Sequence, residues 1–366
     1  MEGLELMSRF PIEEQFWWGK RVFLTGHTGF KGSWLWLWLS ELGALTRGYA
    51  LAPETTPSMF VAAALERRGE HLLGDIRDAA RLRASMREFQ PQIVIHMAAQ
   101  PLVRRSYREP LETFATNVQG TANLLDACRE LPDLRSVVVV TTDKCYENRE
   151  SLEPYREGDR LGGRDPYSAS KACAEIVSAA FRQSYFAGSH TAIATARAGN
   201  VFGGGDYSED RLIPDAVRAY QAGTSLTVRN PGALRPWQHV VDPLAGYLML
   251  ARALFETGEP FAAPFNFGPL AGQQIRVADV IEGFTRIWGD GARWLHEPES
   301  RTVHEAGLLL LDSTRARTEL GWQPQARLDT ALCHTVAWYR ALHEGRSASE
   351  LVQLTLGQIS LLRSGL

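Results

Sequence analysis

The chain has 366 residues, 45% of them hydrophobic, and a net charge of -3. That is enough apolar material for one large core or for two lobes sharing one. Arginine is scattered without a basic run, and no apolar stretch approaches the roughly 18 residues of a membrane span, so a small molecule is the expected partner rather than nucleic acid or a membrane. The opening "MEGLELMSRFPIEEQF" is acidic and has no apolar signal core. Cys128, Cys145, Cys173 and Cys333 are widely spaced with no CxxC, which predicts no metal site, no disulfide framework and a reducing cytoplasm.

Residues 21 to 25, "RVFLT", read as a first strand stopping at Gly26, and a helix pattern follows from Ser33 to Leu42. Further strands are expected in "LTRGYAL", in "ERRGEHLLGDI" up to Asp75, in "PQIVIHMAA", in "RSVVVVTT" and in "TAIATARAGNVFG". Between them lie helical patterns: "DAARLRASMREF", one long helix in "ETFATNVQGTANLLDACREL", and "DPYSASKACAEIVSAAFRQSYF". Strands alternating with helices, and apolar almost throughout, predict an α/β fold built on a Rossmann-type doubly wound parallel sheet. Residues 16–200 are the expected Rossmann domain. Beyond it the regularity weakens, and residues 201–366 are expected to form mainly a smaller mixed α/β substrate lobe, with a helix at 240–256 returning to the first domain. "WLWLWL", Trp34 to Leu39, predicts a helix buried on both faces rather than a membrane or carbohydrate patch.

"TGHTGFKG" sets Gly26, Gly29 and Gly32 between the first strand and its helix. Glycines there permit a tight turn and the close approach of a pyrophosphate to the free N–H groups of the helix. The spacing is GxxGxxG, the variant used by one branch of dinucleotide binders. Asp75, after the third strand, reads equally as an adenine contact or as a cap for "DAARL". The tip of the second strand, "GYALAPETT", offers no arginine for a 2′-phosphate, which favours NAD over NADP, and Glu54 there is a candidate for the ribose hydroxyls. An arginine distant in sequence could still fill that place.

"YSASK" puts Tyr167 and Lys171 four apart, on one face of a helix. A phenol is a poor base at neutral pH, and a neighbouring ammonium together with a positive nicotinamide ring is expected to lower its pKa. The chain has only four lysines, Lys20, Lys31, Lys144 and Lys171, among 39 basic residues. A lysine kept in an arginine-rich chain suggests a task that arginine cannot do, such as giving up a proton. Lys144 stands beside Asp143 in "TTDKCYEN", just past an apolar run.

"GHTGFKG", "HMAAQ", "TTDK" and "YSASK", in this order, resemble the extended short-chain dehydrogenase/reductase superfamily and, within it, the nucleotide-sugar 4,6-dehydratases. "RPWQHVVDPLAGYL" and the TDK triplet bring the likeness nearest to the CDP-glucose branch, and it spans nearly the whole chain from residue 16. The resemblance implies a nucleotide sugar oxidised at C4 with transient reduction of a bound NAD, loss of water across C5 and C6, and hydride return to C6. It implies Tyr167 as the C4 base, Thr142 holding that hydroxyl, and Asp143 with Lys144 as the acid and base of the elimination. Better-known dTDP-glucose and GDP-mannose dehydratases carry Glu at the place of Lys144, so whether Lys144 is the C5 base stays open.

By matching motif, cofactor contacts are expected from Gly26, Thr28, Gly29, Phe30, Lys31, Gly32, Asp75, Ile76, Ala98, Ala99, Gln100, Asn117, Tyr167, Lys171 and Arg197. Substrate contacts are expected from Asn200, Arg235, His239 and His304, with Arg235 on the diphosphate. Members of this family commonly pair through helices, so a homodimer or homotetramer is expected. The nucleobase is left open by the sequence, with a dTDP-, GDP- or UDP-hexose as the alternative substrate. A sugar 4-epimerase or decarboxylase of the same superfamily, or a dinucleotide sensor, are the alternative functions. Neither enzyme alternative needs an Asp-Lys pair after Thr142, and a sensor can lose Tyr167 and Lys171.

Overall fold

The computed structural model describes residues 12–270, 274–297 and 307–363. Strands β1 (Arg21–Thr25), β2 (Leu45–Ala50), β3 (Glu70–Leu73), β4 (Ile93–His96), β5 (Ser136–Val140) and β6 (Ala192–Ala198) form a parallel sheet. The strands β7 (Asn200–Phe202), β8 (Leu226–Val228) and β9 (Trp237–His239) lie outside it. Strand β10 (Pro264–Phe267) returns to its edge beside β6, and β11 (Trp294–His296) pairs with β8. The spatial order is β10-β6-β5-β4-β1-β2-β3, so the winding reverses between β1 and β4 and opens a crevice at their carboxyl ends.

Strict alternation along each strand divides the core between the two faces of the sheet. Val22 and Leu24 join one cluster and Phe23 the other; Ile93 and Ile95 part from Val94 in the same way, and Val138 and Val140 from Val137 and Val139. Helices Ala79–Phe89 and Gly120–Cys128 cover the second face. Helices Phe30–Glu41 and Val241–Glu256 cover the first, the latter packing on β5 and β6. Trp34, Trp36 and Trp38 are at most 1% exposed, because the helix Phe30–Glu41 is itself covered by Val241–Glu256 and Ala348–Arg363. Indole Nε1 of Trp34 donates to Gly204 O at 2.9 Å and that of Trp36 to Leu65 O at 2.8 Å, so these side chains are buried without losing their hydrogen bonds. Among the described residues no helix is long and apolar enough to cross a membrane.

The strand expected in "TAIATARAGNVFG" is two, β6 in the main sheet and β7 paired with β9 outside it, and two helices also differ from the sequence reading. The first helix begins at Phe30, not Ser33, with Gly29 as its cap. The long helix expected after residue 111 is three pieces, Pro110–Phe114, a π-helical turn Ala115–Gln119 and Gly120–Cys128. Asn117 in the turn clasps the backbone of Gln100, accepting from its N–H at 2.8 Å and donating to its carbonyl at 3.0 Å. Such bulges cluster at functional sites because they re-aim a side chain.

Candidate active site

The crevice is a cavity of about 710 Å³, and the Gly-rich loop forms its floor. Gly26 has φ +76° and donates to Tyr49 O at 3.0 Å, and a Cβ on it would lie 2.7 Å from Ala98 N. A Cβ on Gly32 would lie 2.0 Å from Gly26 O. These two glycines therefore let the loop, the helix and the strand β4 close on one another. Gly29 differs: a Cβ there would meet only Gly26 O, at 3.5 Å, so its open side faces the cavity at the helix N-terminus. Bare backbone N–H groups facing an empty recess fit an anionic pyrophosphate.

Thr25 Oγ1 accepts from the N–H groups of Met97 and Ala98, both at 3.1 Å, which brings the end of β4 against the loop. Thr28, Phe30, Lys31, Asp75, Ile76, Ala98 and Ala99 all line the cavity. Asp75 is not the cap of the following helix; that is Asp78, which accepts from Arg81 N at 3.0 Å. The Asp75 carboxylate instead takes Arg77 at 2.6 Å, and this hydrogen-bonded guanidinium holds its pKa below the usual range. An arginine distant in sequence does reach the tip of β2: Arg105 meets Glu54 at 3.1 Å. Glu109 at 2.6 Å and Glu112 at 3.3 Å engage the same guanidinium, so its charge is already answered by carboxylates.

On the opposite wall, Tyr167 and Lys171 project from the helix Pro166–Ser184 into the cavity beside Thr142 and Lys144. Lys171 Nζ donates to Val140 O at 3.2 Å, the last carbonyl of β5. Burial lowers its pKa to about 8, against the pull of the Glu175 carboxylate. Burial pushes the Tyr167 phenol up to about 12, opposed by its hydrogen bond with Thr142 and by the Arg211 guanidinium. Within the chain's own groups, desolvation of the phenolate outweighs these partners; the nicotinamide charge on which the sequence reading also relied would act in their direction.

Thr142 caps a 3₁₀ turn, Asp143–Cys145, directly after β5. Its hydroxyl donates to Asp143 Oδ1 at 2.9 Å. Lys144 Nζ lies 3.4 Å from the same oxygen and 3.3 Å from Asn200 Oδ1, so it bridges the turn after β5 and the start of β7 at the cavity surface. Asp143 is fully buried just behind that surface, and among the described residues no group meets its Oδ2. Asn200 and Arg235 also line the cavity. Lys31 Nζ donates to Tyr247 Oη at 3.0 Å, and burial lowers its pKa to about 7, helped by Arg211 and Lys171. Three of the four lysines therefore gather at one cavity.

Five expected site residues do not line the cavity: Asp143, buried behind its surface, and Gln100, Asn117, Arg197 and His239. Gln100 and Asn117 stand behind the wall, where Asn117 also donates to Ser170 Oγ at 2.8 Å and ties the Ala98–Gln100 loop to the Tyr167 helix. Arg197 is not at the cavity either, because it is buried in an ion pair with Glu175. His239 is fully buried, packed edge-on against Trp34 at 5.7 Å, and burial drops its pKa to about 3, so it is a neutral core side chain. His304 lies outside the described residues. The sequence reading missed Arg211, for which no local motif exists, Tyr247, which lies within the quoted "RPWQHVVDPLAGYL", and Glu175, whose place four residues after Lys171 was a readable signal.

Comparison with known proteins agrees with this geometry. The family model described as GDP-mannose 4,6 dehydratase matches residues 23–335. The chain is 48% identical to the CDP-glucose 4,6-dehydratase of Salmonella typhimurium, over 91% of this chain and 94% of that one. It is 28% identical to a dTDP-glucose 4,6-dehydratase of Xanthomonas campestris, over 86% and 92% of the two chains. Among solved structures, the dTDP-glucose 4,6-dehydratase DesIV of Streptomyces venezuelae, with NAD and TYD bound, superposes with a TM-score of 0.73 at 26% identity, covering 89% of this chain and 98% of that one. The UDP-glucose 4-epimerase of Thermotoga maritima shares the fold, with a TM-score of 0.76 at 22% identity over 88% and 99% of the two chains. With the Gly-rich cradle, Tyr167, Lys171 and Lys144 on one cavity, and a family match over most of its length, the chain belongs to the GDP-mannose 4,6-dehydratase family.

Proposed function

We propose that the protein is an NAD-dependent hydro-lyase that converts CDP-glucose to CDP-4-keto-6-deoxyglucose and water. The identity of 48% with the Salmonella enzyme carries the choice of substrate. The elimination chemistry is supported by Asp143 and Lys144, side by side where Tyr167 and Lys171 line the same cavity.

Gly26, Gly29 and Gly32 hold the pyrophosphate of NAD, which supplies a hydride acceptor and donor beside the sugar. Tyr167 takes the proton of the C4 hydroxyl, and Thr142, hydrogen-bonded to it, orients that hydroxyl. Lys171 carries the positive charge that helps the phenol lose its proton. A ketone at C4 acidifies the C5 hydrogen. Lys144 removes it, while Asp143, held beside Lys144, gives a proton to the C6 hydroxyl, which leaves as water. Asn200 keeps Lys144 turned toward the sugar. Arg235 pairs with the substrate diphosphate, and the nucleoside lies along the lobe beyond residue 200, where Thr227, Val228 and Val277 line the cavity.

The protein assembles as a homodimer or homotetramer through the helices Pro110–Phe114 and Pro166–Ser184, which expose Leu111 and Ile176. Its four cysteines are unpaired, which fits a reducing cytoplasm. Incubation with CDP-, dTDP-, GDP- and UDP-glucose, followed by the alkali-induced absorbance of a 4-keto sugar, tests the assignment. Product from CDP-glucose ahead of the others supports it, and product from another nucleotide sugar alone refutes the substrate.

A further inference from the structure

Behind the reactive wall lies a buried ion pair to which the mechanism above gives no role. Glu175 and Arg197 are each 2% exposed and meet at 2.7 Å. Glu175 stands one turn beyond Lys171, so Tyr167, Lys171 and Glu175 share a stripe of the helix Pro166–Ser184. Its carboxylate also accepts from Thr141 Oγ1 and, at 2.7 Å, from Thr195 Oγ1. Arg197 reaches the other way. It donates to Tyr146 Oη at 2.8 Å and to Glu157 O at 3.1 Å, with its guanidinium carbon 4.9 Å from the centre of the Tyr146 ring. The Tyr146 hydroxyl donates in turn to Asn266 Oδ1 at 2.7 Å. Thr141 and Tyr146 are the residues immediately before and after Thr142–Cys145, so each member of the pair holds one end of the turn that carries Asp143 and Lys144.

A buried ion pair is a poor stabiliser, since desolvation offsets its attraction, and an apolar pair of similar volume is often as good. Here its contacts run to the reactive turn and its field to Lys171. We propose that Glu175 and Arg197 are positioning residues for both halves of the reaction: together they fix the Thr142–Lys144 turn at its two ends, and as a balanced ion pair they back the Tyr167–Lys171 stripe of the helix. The proposal rests on the dehydratase reading.

The electrostatic half follows from what surrounds the two groups. Lys171 feels Glu175 from its own helix and Cys145 from the turn, both favouring the ammonium, and it faces Lys31 from the helix Phe30–Glu41 and His96 at the end of β4. Tyr167 feels Arg211 from beyond β7, and Asp143 and Asp165 from the loops at either side. Burial works against the Glu175 carboxylate, but Arg197 and the hydrogen bonds it accepts hold its pKa below the usual range. Neutralising Glu175 alone leaves the Arg197 cation unbalanced, and an added positive charge makes both Lys171 and Tyr167 release protons at lower pH. Neutralising Arg197 alone has the opposite sign. Neutralising both restores the balance of charge while still releasing the turn.

The test compares wild type with Glu175→Gln, Arg197→Met and the double variant by two measurements. One is the pH profile of kcat. The other is the ionisation of Tyr167, taken as tyrosinate absorbance against the matching Tyr167→Phe protein, which needs no turnover. Glu175→Gln is expected to move both downward and Arg197→Met upward, each by roughly one pH unit. In the double variant both return to the wild-type position while kcat stays low. Limbs and titrations that do not move, or a double variant that shifts like a single one, overturn the charge role; near wild-type kcat in the double variant overturns the positioning role. If Glu175→Gln does not fold, Arg197→Met and the double variant decide the matter. A wild-type protein that makes no 4-keto product refutes the dehydratase reading, while the absorbance titration still judges the charge role.

Discussion

Gly29→Val is expected to abolish NAD binding while leaving the fold in place. A Cβ at this position meets one atom, Gly26 O at 3.5 Å, and the backbone at φ -77°, ψ 171° is one that valine adopts without strain. Glycine is preferred to valine as a helix cap, which makes the loss of stability about 1 kcal/mol. The added methyl groups point into the recess that the pyrophosphate needs and keep it from the N–H groups of the helix. Each lost bond from N–H to a charged oxygen is worth about 1.5–3 kcal/mol, so losing two weakens NAD by about 10²–10⁴-fold. Titration of tyrosine and tryptophan fluorescence with NAD measures the affinity, and a thermal melt measures the fold. Wild-type affinity in a folded Gly29→Val protein would refute the placement of the pyrophosphate. Gly32→Ala is the contrasting control: its Cβ would lie 2.0 Å from Gly26 O, so this variant loses the fold itself.

Tyr167→Phe is expected to lose about 10²–10⁴-fold in kcat with substrate affinity retained, which steady-state kinetics and equilibrium binding read separately. Lys171 has a pKa of about 8, so its ammonium is present below that pH and lost above it; kcat should fall on the alkaline side, and Lys171→Ala should remove that limb. Lys144→Arg keeps a cation but cannot act as a base; it should still oxidise C4 and fail to exchange the C5 hydrogen with deuterated solvent, and near wild-type elimination would show that Lys144 only anchors charge. Burial pushes His27, His96 and His239 from 6.5 down to about 3, so the unfolded chain binds protons that the folded chain does not. Folding stability from these groups is therefore present above about 6.5 and is lost as pH falls toward 3, which urea melts across that range will show. Trp36→Ala empties a fully buried site and should cost about 3–5 kcal/mol in the same melts.

The sheet was legible because its strands are short apolar runs between helical patterns, and β1 falls on "RVFLT" residue for residue. The Gly-rich loop and the YSASK helix were legible because each needs only local spacing. The break at Ala115–Gln119 was not, since it depends on Asn117 reaching a loop 17 residues earlier. Arg197 and His239 show a second limit. Motif matching put them at the ligand, but a strand alternates its side chains between faces, and a register of one decides between cavity and core. Both fell on the core side. Arg105 shows a third, as its approach to Glu54 joins residues 51 apart that no periodicity connects.

A 4,6-dehydration carries the C4 hydrogen of the sugar to C6, so the fate of that hydrogen reports the reaction. With CDP-glucose deuterated at C4, the account predicts a 4-keto-6-deoxy product whose deuterium has moved to C6 of the same molecule, with one solvent hydrogen taken up at C5. Deuterium retained at C4 of an inverted sugar, or released without appearing at C6, would contradict it.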